Sequence, residues 1–198
     1  MKTGGGKRAT APVIGALALV ACATTANLDA TVAVPEKITA APDAVTVIVV
    51  QPKTQLRDVQ LVEGHGQLVG QLEGPSHTVL KLREGPTVLY ASLGNDAATV
   101  DRIEGTLISG RTYYALVEPR DGGVALLALT PRTPGDLWSR KAELLAATPR
   151  LALDPQKVTR VVNELGDLDP ILRAGDARAD RLDPAATAAR TLQETDGF

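Results

Sequence analysis

The chain has 198 residues, enough for one ordinary domain with a small appendage, so a large multidomain enzyme is excluded. Its 21 Lys and Arg against 23 Asp and Glu give a formal charge of −2, with no excess of cations to neutralise a phosphate backbone, which argues against nucleic acid as a partner. One Cys and two His exclude a cysteine-rich zinc or iron–sulfur site and an intramolecular disulfide, and no apolar run approaches the roughly 20 residues of a membrane-crossing helix.

Lys2, Lys7 and Arg8 precede an uncharged stretch from residue 11 to 21 that ends in small residues, the order of a secretory signal. At its end stands Leu19-Val20-Ala21-Cys22, which resembles the lipobox of bacterial lipoproteins. The resemblance implies that Leu19, Val20 and Ala21 are read by signal peptidase II, and that Cys22 takes a diacylglyceryl group on its thiol and becomes the mature N-terminus. The alternative is simple secretion, because Ala21-Cys22-Ala23 also fits a small-x-small cleavage site. Ala23 is not the Asp that resembles an inner-membrane retention signal, which implies an outer-membrane, periplasm-facing location. Cleavage removes three cations and no anion, leaving 18 positive and 23 negative residues, a formal −5. The acyl chains, at about 0.8 kcal/mol per buried methylene, and not a basic patch, would then attach the protein to the membrane.

Residues 22–43 are rich in Ala, Thr and Pro, with Pro35 and Pro42 as punctuation, and read as an acylated N-terminus and flexible tether. Within it, 32–34 is a candidate edge strand. Residues 44–132 read as the β domain. Short β-branched or Leu-rich runs at 45–50, 59–63, 67–72, 77–82, 87–93, 99–108, 112–118 and 124–130 are separated by Gly, Pro, Asn and Asp at turn spacing. The last run is apolar on both faces, so it is expected to be central or covered on its outer side.

Residues 133–198 read as a helical region. Thr133-Pro134-Gly135-Asp136 has the look of a capping box, and predicts a helix to about 147. Asp154-Pro155 opens a second helix carrying Val158, Val161, Val162 and Leu165 on one face before Gly166. Asp169-Pro170 and Asp183-Pro184 repeat the arrangement, predicting short helices to about 179 and 191. The fold class expected is mainly β: a seven- to eight-stranded antiparallel β-sandwich with a C-terminal tail of short α-helices packed on it.

Three pieces of the β region carry a further resemblance: Gly66-Gln-Leu-Val-Gly70-Gln-Leu72, Gly85-Pro-Thr-Val-Leu-Tyr-Ala91 and Gly110-Arg-Thr-Tyr113-Tyr114. Together they resemble small β-sandwich modules of the PEGA-like kind found in Gram-negative envelope lipoproteins. That resemblance covers roughly residues 45 to 130 and implies an envelope accessory domain. It supplies no catalytic residue.

The chemistry-bearing residues are sparse. His65 and His77 are too isolated for a metal pair, and Asp167, Asp169, Asp176 and Asp180 lack the Gly and closing Glu of a calcium loop, so they read as caps and a solvated face, with no metal or cofactor expected. No nucleophile elbow, phosphate loop, dinucleotide fingerprint or zinc-protease motif is present. Tyr113 and Tyr114 point to opposite faces of one strand, so one belongs to the core and the other marks an interaction surface or packs beneath the tail. Trp138 is expected to anchor the first tail helix. The function expected is a non-enzymatic, lipid-anchored periplasmic accessory protein, held to the membrane by N-terminal acyl chains and binding or scaffolding an envelope protein or polymer. An envelope-polymer hydrolase or a small-ligand carrier is the alternative.

Overall fold

The computed structural model describes residues 30–34, 38, 42–53 and 56–198; the expected signal segment, the expected lipobox at Leu19, Val20 and Ala21, and Cys22 lie outside the described residues. The chain is mainly β. In chain order the strands are β1 (Thr31–Ala33), β2 (Val45–Gln51), β3 (Val59–Glu63), β4 (Gln67–Leu72), β5 (Ser76–Leu82), β6 (Gly85–Leu93), β7 (Asp96–Leu107), β8 (Thr112–Arg120) and β9 (Gly123–Ala128). Then follow α1 (Lys141–Ala147), β10 (Arg150–Leu153), α2 (Pro155–Leu165), α3 (Asp169–Ala179), α4 (Pro184–Ala188), β11 (Thr191–Leu192) and a 3₁₀ turn at Glu194–Asp196.

These strands form two mixed sheets, one of six in the order β1-β10-β5-β2-β8-β9 and one of five in the order β11-β7-β6-β3-β4. The expectation of seven or eight antiparallel strands is therefore corrected: the described residues hold 11, and β2–β8, β10–β5 and β11–β7 are parallel pairs. Parallel neighbours need a long excursion between them. Between β2 and β8 that excursion is β5 together with four strands of the second sheet; β10 and β11 arrive from the tail, each completing a different sheet. The region from 133 onward is thus woven into both sheets, and the candidate edge strand at 32–34 appears as β1, at the sheet edge and antiparallel to β10.

Period-two alternation sets the layers. Val45, Val47 and Val49 of β2, Tyr113, Ala115 and Val117 of β8, Leu61 of β3, Leu89 of β6 and Ile103 of β7 join one buried cluster shared by both sheets. β9 is an edge strand rather than a central one, but its outer side is covered: Leu127 and Leu129 pack with Val50, Leu116, Leu137, Trp138 and Leu145. The edge also closes toward the other sheet. A Cβ at Gly123 would overlap the Thr99 carbonyl, so only glycine lets β9 approach β7 this closely.

Two of the tail helices follow their expected caps and two do not: in α3 Asp169 is the first helical residue and Leu168, with no side-chain bond, stands at the N-cap, and α1 starts late. Asp154 accepts from the Gln156 N–H at 2.9 Å and Asp183 from the Ala186 N–H at 2.8 Å, each with Pro at the helix start, as the sequence pattern predicts. The first helix begins at Lys141, well after the apparent box. Gly135 has φ +82°, incompatible with a helix there, and the Thr133 hydroxyl instead bonds the Thr130 N–H and the Ala128 carbonyl, terminating β9. α4 ends at Ala188 rather than near 191 because Thr191 and Leu192 leave to form β11. No helix of the described residues is long and apolar enough to cross a membrane.

Candidate functional site

The two tyrosines proposed as a surface separate as alternation requires, but only one reaches the outside. Tyr113 is fully buried between the sheets, its hydroxyl accepting from the Ile108 N–H at 3.1 Å and donating to the Glu194 carbonyl at 3.3 Å, so it is removed from any interaction surface. Tyr114, on the opposite face of β8, is half-buried, and burial pushes its phenol up from the ordinary range.

Around Tyr114 three of the chain's five aromatic side chains assemble. Trp138, in the turn segment before α1, meets Tyr114 edge-on, with ring centroids 5.8 Å apart and planes at 83°. Phe198 lies against the other side of Trp138, centroids 5.1 Å apart, and the Lys141 Nζ stands 4.0 Å from the indole centroid. Phe198 is held by its backbone: its N–H donates to the Thr112 carbonyl at 3.2 Å and its carbonyl accepts from the Thr112 N–H at 2.8 Å. The residue is nevertheless 62% exposed. Large, rigid aromatic groups half out of water beside a cation are what contact surfaces use, because they bury much area at small entropic cost. Phe198 is the member sequence reasoning missed. Its place beside Thr112 depends on backbone pairing across most of the domain, which no local pattern signals.

A second cluster sits where β7, β9 and the tail meet. Asp101 is 1% exposed on the core side of β7 and accepts from Arg190 Nε at 2.9 and 3.0 Å, Arg178 Nε at 3.3 Å and the Leu126 N–H at 2.9 Å. Arg120 caps the same edge, its guanidinium donating to the Val100 carbonyl at 2.8 Å and to the Val124 carbonyl. Burial first, and then the charge of Arg178, draws the Arg120 guanidinium down from its ordinary value. A signal for Asp101 existed: it is an acid in phase with Ile103 and Leu107, an inward register where a charge needs partners. The cluster is an inter-element clamp, joining one strand of each sheet to the tail.

The remaining acids and histidines are dispersed. Asp176 accepts from the Tyr90 hydroxyl at 2.8 Å and from Arg102 at 3.0 Å; burial, then the Asp176 hydrogen bond, pushes the Tyr90 phenol up to about 12. Arg102 also pairs with Glu104 at 3.0 Å. Asp167 caps the start of α3 by accepting from the Asp169 N–H at 2.9 Å, and Asp180 lines a groove of about 220 Å³ with Arg102, Glu104 and Arg190, two cations against two carboxylates. His65 is exposed in the β3–β4 turn, whereas His77 on β5 is buried with Nδ1 3.0 Å from the Thr148 hydroxyl. Burial holds the His77 imidazole below its ordinary range against the opposing Thr148 bond, and Arg150 adds to the lowering. Among the described residues, no three His, Cys, Asp or Glu side chains converge on one point. An apolar slot leading into the core past Leu82, Leu89, Ile103 and Leu192 has about 10 Å³ of free space, room for one water at most.

Neither a protein-family profile nor a curated protein sequence matches the chain.

Proposed function

We propose that this chain is a lipid-anchored accessory protein of a Gram-negative envelope, acting by binding rather than by catalysis. In this reading the two sheets serve as a β-sandwich scaffold of the PEGA-like kind, and Cys22 carries the acyl chains that hold it on the periplasmic side of the outer membrane. The single observation that carries the binding role is the patch of Tyr114, Trp138 and Phe198, with Phe198 62% exposed yet fixed by backbone bonds and a lysine ammonium over the indole. Such a patch offers dispersion contact and one cation to an envelope protein or polymer without any group poised for proton transfer.

The anchor is tested by palmitate incorporation and membrane fractionation of the wild-type chain and Cys22→Ser in a Gram-negative host. Label and outer-membrane sedimentation are both expected to vanish in the variant; an unlabelled, soluble wild-type product overturns the anchor. The patch is tested by a photo-crosslinking residue at position 198 in intact cells, with position 121 in the β8–β9 turn as control. Discrete adducts at 198 alone are expected. Equal crosslinking at the two positions overturns the patch.

A further inference from the structure

Among the described residues, β1 forms one end of the six-stranded sheet, with no strand on its outer side. Val32 of β1 is 46% exposed, one of the few large apolar side chains so displayed, and Ala33 beside it is exposed too. The start of α2 meets this edge: the Lys157 ammonium donates to the Thr31 carbonyl at 3.3 Å, and Val162 on the same helix is 40% exposed. Arg150, Lys157 and Arg160 stand on β10 and α2 against Asp154 and Glu164, a cationic balance in a chain whose sequence after residue 21 sums to −5.

The spacing from Cys22 turns this edge into a directed surface. From Cys22 to Ala30, the residue whose carbonyl accepts the Asp154 N–H at 2.7 Å, there are eight residue steps, which reach roughly 28 Å when fully extended. Had the chain stayed a tether to residue 43, the reach would be roughly 70 Å. A domain of this size is about 40 Å across. With Cys22 anchored, turning the far edge of the sheet to the bilayer would put β1 five strand spacings, roughly 24 Å, above it and draw the tether out to nearly its full length. We propose that the edge formed by β1 and α2 is the face this protein turns to a phospholipid bilayer, with Val32 at the lipid and Lys157 and Arg160 level with the headgroups. The inference rests on the lipid-anchor reading and adds to it an orientation. It also leaves the aromatic patch, on β8 and the segment before α1, clear of the membrane.

The test uses the full lipidated chain. Because Cys22 is the only cysteine and its thiol is acylated, Val32→Cys supplies a single labelling site, and Asp121→Cys, at the opposite end of the same sheet, supplies the control. Each is labelled with a bimane fluorophore and reconstituted in vesicles of phosphatidylethanolamine and phosphatidylglycerol carrying a nitroxide headgroup lipid. Quenching at position 32 is expected to exceed that at 121 by at least twofold, and a 15-residue Gly/Ser insertion after Thr25 is expected to reduce it to the control level. Equal quenching at the two positions, in samples whose palmitate label and vesicle co-sedimentation are intact, overturns the orientation. Loss of label and co-sedimentation instead overturns the anchor itself. Quenching that survives the insertion overturns the tether as its cause.

Discussion

The outer faces of the two sheets are closed by different means. On the five-stranded sheet, α2 and α3 bury Val161, Leu165, Leu168 and Ile171 against Val62, Tyr90 and Val100, and α3 comes so close that a Cβ on Gly175 would sit 2.5 Å from the Tyr90 ring. Ion pairs through Asp101 and Asp176 then fix that cover at its margin. On the six-stranded sheet, α1 has no buried residue, and the cover is Trp138 with Leu137 and Leu145 over Val50, Leu116 and Leu129. A tightly buried cover stabilises the fold; a thin aromatic one leaves its rings available for a partner. The difference lies in burial: the first cover is closed over by helices, and the second leaves Phe198 beside it exposed.

Asp101→Ala attacks the first side hardest. It leaves Arg190 and Arg178 without their buried carboxylate and the Leu126 N–H without its acceptor, and should cost about 3–5 kcal/mol in urea unfolding. A loss below about 1 kcal/mol would show that burial alone holds that cover. Trp138→Ala tests the second side, where a half-buried ring should cost only about 1–2 kcal/mol, less than a core aromatic. The expected signature is faster proteolysis within residues 133–150 with unchanged far-UV β signal; unchanged resistance would remove Trp138 as the anchor.

Two smaller effects sharpen the contrast. Gln60 lies on the covered face of β3, fully buried, with neither amide atom bonded to any described residue. Gln60→Leu should therefore raise stability by about 1 kcal/mol, read as a higher urea midpoint, unless an ordered water satisfies the amide and the variant loses stability instead. His77 lies at the joint between β5 and β10. Its folded-state value is lowered from the ordinary 6.5, so the unfolded chain binds the proton more readily. The His77 contribution is present above pH 6.5 and is lost as pH falls below it. Between pH 7.5 and 5.5 the fall in melting temperature should be smaller in His77→Gln than in the wild type; identical slopes would remove His77 as the titrating group.

Most of the β region was legible because alternation and turn chemistry agree along it. The runs at 45–50, 59–63 and 67–72 appear almost residue for residue, and Gly66, Gly94, Gly110 and Gly122 take positive φ in the expected turns. Pairing direction was not legible, since β2 and β8 carry no local mark of running parallel. β10 and β11 were missed because two to four residues cannot show a period, and their partners lie far away in sequence. The candidate site divides in the same way. Tyr114 follows from alternation, and Trp138 follows from its apolar neighbours. Phe198 and the partners of Asp101 exist only once the chain has closed.

The pairing of β1 with β10 has a kinetic consequence. Ala33 lies opposite Leu151 and Thr31 opposite Leu153, partners about 120 residues apart, among the most non-local contacts a domain of this length can make. During synthesis β1 must wait, unpaired, until about 120 further residues have emerged before β10 can close on it. That interval is when a chaperone or protease would meet β1, and the Ala33–Leu151 contact marks when it ends.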